Sequence, residues 1–271
     1  SIRNIRNLGF FSDVKVRNLV GSSEEQTITE LTVEEQSTGE LSIGLGYSSL
    51  EQTSLAFGID ERNFLGTGRA LSLSFELSQK RSNFRLGVVE PYLFERNLTG
   101  RAGVFNDKVK QDSVSISKTG FDFGIGFQAA QDYYHNVGYE LSQSKTTESS
   151  KTATSITGEN GEQILTSAAS HVVGQDRLDN RLDPSEGTLF ELRQELAGIG
   201  GDAKFYKVTG RAAYYRPVNF NAFFFGVKGR ASQVVGLGEK VTQSQRFFLG
   251  GRDVRGFALS GIGPRDTGSD A

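Results

Sequence analysis

Apolar and polar residues alternate along most of the chain from Thr38 onward. In the segment Leu41–Tyr47, four apolar residues share one face, and the face between them carries Ser42, Gly44 and Gly46. A period of two is typical of a β-strand whose two faces meet different surroundings. The pattern predicts eleven strands, at about 39–48, 53–61, 69–80, 83–90, 99–107, 118–128, 133–144, 165–176, 188–196, 204–216 and 222–235.

The connections between these segments differ in length. Gly66-Thr-Gly is short, whereas residues 145–163 are long and polar. Short turns at one end and longer loops at the other are typical of an outer-membrane barrel. Two connections depart from this rule. The link 177–187 is long for a periplasmic turn, and the link at Arg81-Ser82 is short for an outer loop.

Two all-β architectures fit this pattern. A β-sandwich hides its apolar faces, and a membrane barrel turns them to lipid. The predicted strands exceed the usual 5–6 residues of sandwich strands, so we expect the barrel, with the sandwich as the alternative. The polar faces carry the following charged residues: Glu76, Glu140, Glu191, Arg193, Glu195, Lys207, Arg211, Lys228 and Arg230.

Residues 1–36 have a different pattern. A short apolar stripe up to Leu8 predicts the end of a helix, and Gly9 follows it as a C-cap. Two strands are predicted after it, from Phe11 and from Gln26 to Glu35. A helix end and two strands cannot bury a core alone, so we expect this segment to be the end of a larger domain.

Composition narrows the function classes. No run of 18 apolar residues exists, which excludes an ordinary transmembrane helix. The chain has no Cys, and its net charge is −2, so we expect neither a thiolate site nor nucleic-acid binding. His135 and His171 are far apart, and no Gly-x-Ser-x-Gly elbow appears. We therefore expect no catalytic residue, no metal site and no cofactor, and predict that the protein is not an enzyme.

The most specific motif lies near the end of the sequence. Val254, Arg255, Gly256 and Phe257 read Val-Arg-Gly-Phe. They are framed by four further residues: Gly250, Gly251, Gly263 and Pro264. This stretch resembles the sixth outer loop of the BamA family of barrel assembly proteins, which carry periplasmic POTRA domains. Other segments resemble that family as well: Leu8-Gly-Phe-Phe-Ser-Asp-Val, Thr38-Gly, Asn63-Phe-Leu-Gly-Thr-Gly, Glu90-Pro-Tyr and Asp183-Pro.

The resemblance implies a fold and a domain division. Residues 1–36 would be the C-terminal part of the last, α+β POTRA domain, in the periplasm. Residues 37–271 would be the N-terminal part of a transmembrane antiparallel β-barrel, with about 11 of an expected 16 strands, ending in the sixth outer loop. The barrel would lie in the outer membrane of a Gram-negative-type bacterium.

The resemblance also implies a function. The protein would be an insertase that folds β-barrel precursors into the outer membrane without nucleotide hydrolysis. Its partners would be unfolded outer-membrane proteins, lipoprotein subunits bound through POTRA domains, and the lipid bilayer. Two alternatives stay open: a related secretion or translocation transporter of the TamA or two-partner type, and a passive porin or barrel anchor of an enzyme.

Two sites follow from the resemblance. Arg255 would latch the loop against the inner wall, and Gly256 would allow a sharp turn. The first barrel strand would be one side of a lateral gate that pairs with client strands. Its residues are Leu41, Ser42, Ile43, Gly44, Leu45, Gly46 and Tyr47.

Overall fold

The computed structural model shows a chain built almost wholly of β-strands. It describes residues 9–20, 27–49, 51–110, 114–148, 161–218 and 223–242, and positions 245–247, 249–250, 254, 256–257 and 262. The helix end predicted before Gly9 lies outside these residues. No helix in the described part of the chain is long and apolar enough to cross a membrane.

The first two strands form a sheet of their own. β1 (Phe11–Val20) pairs antiparallel with β2 (Thr27–Glu35), with a register shift between Phe11 and Asp13. Both strands were predicted. The assignment of residues 1–36 to a POTRA domain stays a prediction.

The other eleven strands form one antiparallel sheet in which each strand pairs with its neighbours in sequence. This confirms the expected strand number and the all-β class. The strands are β3 (Gly39–Ser48), β4 (Gln52–Glu61), β5 (Ala70–Ser78), β6 (Arg81–Glu90), β7 (Leu98–Lys110), β8 (Val114–Ala130), β9 (Tyr133–Glu148), β10 (Gln163–Asp176), β11 (Gly187–Gly201), β12 (Phe205–Val218) and β13 (Phe223–Gly236).

Several strands differ in extent from the prediction. β8 and β9 run to Val114 and Glu148 at their paired ends, beyond the predicted limits. The end of β9, Lys145-Thr-Thr-Glu, has no apolar residue, and the end of β8 adds only Val114 and Ile116, yet the two backbones continue the same ladder. The connection between β5 and β6 is Gln79-Lys80, because Arg81 and Ser82 already belong to β6.

The two faces of the large sheet have opposite surroundings. The face with the charged residues holds the buried hydrophobic residues of the large sheet's strands, including Phe105, which is 3% exposed, and Phe205. The apolar face stays open, as at Phe123, which is 52% exposed. A sandwich would show the reverse, so the sandwich alternative is wrong. The sheet encloses its polar face and turns its apolar face outward, as a membrane barrel does.

Candidate functional site

The strand β3 forms an edge of the large sheet. It pairs with β4 from Gly39↔Glu61 to Ser48↔Gln52, and no second strand pairs with it among the described residues. Every residue of β3 is exposed, and Leu45 reaches 82%. The edge therefore presents unpaired backbone groups beside an open apolar face.

Small residues line the polar side of this edge. A Cβ atom on Gly46 would lie 2.8 Å from the Ser54 hydroxyl, and one on Gly44 would lie 3.6 Å from the Ala56 Cβ. Neither glycine has a positive φ. These glycines leave little side-chain packing between β3 and β4, which weakens this pair of strands.

The first end of β3 is better fixed than the rest. The Thr38 hydroxyl donates a hydrogen bond to the Glu61 carboxylate, which also accepts the Asn63 backbone N–H at 2.8 Å. Arg62 and Glu40 form an exposed ion pair at 3.7 Å. The strand is thus held at the end that carries the Asn63 turn, and its remaining length depends on one ladder with β4.

The loop after β13 folds back on itself. The Ile262 N–H donates to the Leu249 carbonyl at 3.1 Å, which makes a bridge next to Gly250. Within the loop, the Phe257 N–H reaches the Val254 carbonyl at 3.4 Å, and Gly256 has a φ of +92°. A residue at the third position of such a turn needs a left-handed backbone, which glycine adopts without steric cost. The predicted motif therefore lies at a sharp turn.

Part of the predicted loop site lies outside the described residues. Arg255 is among these, as are Gly251, Gly263 and Pro264. The latch assigned to Arg255 and the framing role of these residues stay predictions.

The start of the same loop packs on the polar face. The Lys207 ammonium lies 5.0 Å from the centre of the Phe205 ring and 5.5 Å from that of Phe247. Both distances are within the range of a cation–π contact. Gln245 is only 6% exposed, and its side-chain oxygen accepts the Thr242 N–H at 3.0 Å. Gln245 and Phe247, which precede the Val254–Phe257 motif, are therefore held against the polar, enclosed face of the sheet. The Lys207–Phe247 contact was missed from sequence.

A second set of contacts links the β11–β12 connection to the start of the loop after β13. Lys204, between β11 and β12, donates to Glu239 at 2.7 Å, and the Leu237 N–H donates to the Lys204 carbonyl at 3.0 Å. The Glu239 carboxylate raises the pKa of Lys204. Because both residues are exposed, the pair adds little free energy of folding.

Charged side chains on the polar face pair across strands. Lys118 and Glu140 lie 2.6 Å apart, and Arg85 and Asp122 lie 3.2 Å apart. The two cations lie within 5.6 Å of the buried Phe105 ring. Sequence analysis placed Glu140 and Asp122 on this face and missed Lys118, Arg85 and Phe105. These four charges on the polar face are therefore neutralised in pairs.

The long connection between β10 and β11 is braced from within. The Asp179 carboxylate accepts hydrogen bonds from the Ser185 hydroxyl at 2.6 Å and from the Ser185 and Glu186 N–H groups at 3.1 Å each. These bonds, led by that of the Ser185 hydroxyl, lower the pKa of Asp179 to about 2. The unusual length of this link therefore goes with an ordered turn, at the same end of the sheet as the Asn63 turn.

The two histidines, far apart in sequence, come together in space. His135 Nδ1 lies 3.1 Å from His171 Nε2, on the apolar face of β9 and β10. The contact is an imidazole–imidazole hydrogen bond, in which one ring donates and the other accepts. No group of three His, Cys, Asp or Glu residues that could hold a metal ion exists within the ranges that the structure covers.

Comparisons with known proteins agree with this architecture. The model of the Omp85 superfamily domain matches residues 63–271. The BamA outer membrane protein assembly factor of Neorickettsia risticii is 31% identical over 100% of this chain and 37% of its own length. The BamA of Nitratidesulfovibrio vulgaris is 28% identical over 96% of this chain and 33% of its own. The chain thus spans about a third of these relatives.

A solved structure has the same fold. BamA from Haemophilus ducreyi lacking POTRA domains 1–3 matches with a TM-score of 0.87 and 22% sequence identity. The match covers 97% of this chain and 54% of that chain. The eleven-stranded sheet therefore has the fold of a transmembrane barrel.

Proposed function

Because this chain belongs to the Omp85 superfamily, we propose that it is the strand-capturing part of a factor that assembles β-barrel proteins in the outer membrane. This chain belongs to an outer-membrane β-barrel protein. Its clients would be unfolded barrel precursors, and its N-terminal segment would belong to a periplasmic POTRA domain that binds lipoprotein subunits.

The observation that carries this proposal is the open edge of β3. An unpaired strand edge is a template for strand addition by another chain. All ten residues of β3 are exposed, and away from its ends its one described side-chain hydrogen bond is a long one, from the Ser42 hydroxyl to the Gly58 carbonyl at 3.4 Å. A client strand would add to this edge through backbone hydrogen bonds, which do not depend on the client's sequence. The edge would thus serve as one side of a lateral gate.

The loop after β13 would hold the gate region from the inside. Its first part packs against Lys207, and its Val254–Phe257 turn is formed within the loop. Arg255 would complete the latch by pairing with a carboxylate on the inner wall, because a planar guanidinium matches a carboxylate with two hydrogen bonds.

Neither part of this mechanism needs nucleotide hydrolysis. Adding a strand satisfies backbone groups that are costly to leave unpaired in lipid. The free energy of the client's own folding would therefore drive insertion, and we expect no catalytic step.

The test is photo-crosslinking in the full-length protein. A photoreactive amino acid at Ser42 or Gly44 should crosslink to a stalled barrel client, and the same group at Leu192, on the apolar face of β11, should not. Equal crosslinking at all three positions, or none at Ser42 and Gly44, would contradict the gate.

The latch is tested separately. We expect Arg255→Ala to slow client assembly and Arg255→Lys to restore it only in part, because Lys keeps the charge without the planar fork. Normal assembly by Arg255→Ala would overturn the latch and leave the gate unaffected.

A further inference from the structure

Two turns at the same end of the sheet share an uncommon backbone conformation. Leu65, between β4 and β5, has φ 53° and ψ 30°, and Phe94, between β6 and β7, has φ 56° and ψ 33°. Non-glycine residues rarely adopt this left-handed conformation, which costs about 1–2 kcal/mol. Both side chains project outward, with exposures of 83% and 77%. A strained backbone that displays an apolar side chain points to a binding role.

The second turn closes one end of an apolar groove. The groove has a volume of about 810 Å³ and runs along the outer face of β6, β7 and β8. Val88, Ala102, Phe123 and Ile125 form its floor, and Phe94 lies at its end. Its volume falls within the roughly 300–1,000 Å³ of small-molecule pockets.

Close packing fixes this end of the groove. A Cβ atom on Gly100 would lie 3.2 Å from both terminal carbons of Leu93, so the absence of a side chain at Gly100 lets Leu93 sit against β7. Leu93 anchors the turn to the sheet, and the next residue, Phe94, is thereby directed outward. The Phe94 turn and the strands β6, β7 and β8 therefore form the groove together.

A charged pair lies at the rim. Arg69 Nε and Glu90 Oε2 are 2.6 Å apart, and Glu90 also accepts the Tyr92 N–H at 3.2 Å. Arg69 is still half exposed. Because a guanidinium has five N–H donors, the contact with Glu90 through Nε leaves Arg69 able to bind an anionic oxygen.

We propose that this groove binds one phospholipid of the periplasmic leaflet, with an acyl chain along Ala102 and Phe123 and the phosphate at Arg69. The groove opens on the apolar face that meets the bilayer, so a lipid is the occupant that continues this surface. The Phe94 turn lies at the end of the sheet where the N-terminal segment joins β3. The leaflet therefore rests on the proposed function, in which that segment belongs to a periplasmic POTRA domain. The apolar floor fits a hydrocarbon chain, and the charged rim fits a headgroup.

The first experiment measures lipid retention by the full-length protein. The protein is reconstituted in phosphatidylethanolamine nanodiscs, extracted in mild detergent and weighed by native mass spectrometry. We expect one retained phospholipid in the unmodified protein and its loss in Ala102→Phe, which fills the groove. The matched control, Ala212→Phe, places the same ring on the outer face of β12 and should keep the lipid. Retention by both variants, or loss from both, would overturn the proposal.

The second experiment needs no variant. A phosphatidylethanolamine with a photoreactive group on its acyl chain should crosslink to β6 and β7 more strongly than to β11 and β12. Uniform labelling of all outer faces would contradict a defined site. Neither readout involves client assembly, so failure here is distinguishable from failure of the proposed gate.

Discussion

The Lys207 ammonium lies 5.5 Å from the centre of the Phe247 ring, across 40 residues of sequence. Lys207 is fixed in β12, and Phe247 belongs to the loop that carries the Val254–Phe257 turn. The contact joins this loop to the polar face at a point separate from Arg255.

Replacing Phe247 with leucine should loosen the start of the loop. A cation–π contact contributes about 1 kcal/mol, so amide hydrogen exchange in residues 245–250 should become about fivefold faster. Leucine keeps the apolar character of the side chain, which isolates the ring contribution. Phe94→Leu, at the opposite end of the sheet, is the control and should leave this exchange unchanged. Unaltered exchange in Phe247→Leu would show that the contact does not hold the loop.

Adding a methyl group at Gly120 should destabilise the barrel. A Cβ atom there would lie 2.5 Å from the Leu141 carbonyl oxygen and 2.9 Å from the Phe105 ring. Such overpacking typically costs about 1–3 kcal/mol. We expect Gly120→Ala to lower the temperature at which the folded band is lost in heat-modifiable gel migration.

Gly210→Ala serves as the matched control for Gly120→Ala. Gly210 lies in β12, and a Cβ atom there would meet nothing within 4 Å. This variant should melt at the temperature of the unmodified protein. If both alanine variants melt alike, packing at Gly120 does not limit stability.

The loop between β10 and β11 should resist mild acid. The pKa of Asp179 is lowered from 3.8 to about 2 in the folded loop. Its contribution to stability is therefore present above about pH 4 and is lost as the pH falls through about 2. The Ser185 and Glu186 amides should stay protected from hydrogen exchange at about pH 3, where an ordinary aspartate is mostly protonated.

Asp179→Ala provides the comparison for the acid experiment. Without the carboxylate, the Ser185 and Glu186 N–H groups lose their acceptor, so these two amides should lose their protection at neutral pH. Loss of this amide protection near pH 4 in the unmodified loop would contradict the lowered pKa.

Glycine at position 65 should stabilise the protein in detergent. Leu65 has φ 53°, a conformation that glycine adopts freely. Relief of this strain should raise the free energy of unfolding by up to about 1 kcal/mol. Thermal unfolding of Leu65→Gly measures the gain, with Leu55→Gly in the regular part of β4 as a control that should destabilise. A lower melting temperature for Leu65→Gly would mean that its side chain contributes more than the strain costs.

Sequence alone predicted most of this fold because a barrel strand has a simple period. The eleven strands and their two faces follow from alternation, as in β3. The end of β9 could not be predicted, since Lys145-Thr-Thr-Glu has no apolar residue on either face, and the short alternation at Val114 and Ile116 in its partner β8 was missed. The turns near Leu65 and Phe94 were identified, but their left-handed backbone was not, because neither residue type is common in that conformation.

Contacts between distant residues were beyond sequence analysis. The approach of His135 to His171 depends on the register in which His135 lies opposite Val173. The contact between Phe247 and Lys207 depends on the path that the loop after β13 takes across the sheet. Neither contact leaves a pattern in the local sequence, whereas the Val254–Phe257 motif could be identified from four consecutive residues.

The order of strands in the large sheet has a consequence for how such a barrel is made. Every ladder joins strands that are adjacent in sequence, so the sheet can grow one hairpin at a time with small loop-closure costs. A slip of one residue in any ladder would turn the side chains of the strands added after it to the opposite face. Lys118 and Arg85 would then meet hydrocarbon, and the phenylalanines would face the enclosed side. Register is therefore the property that stepwise growth must control.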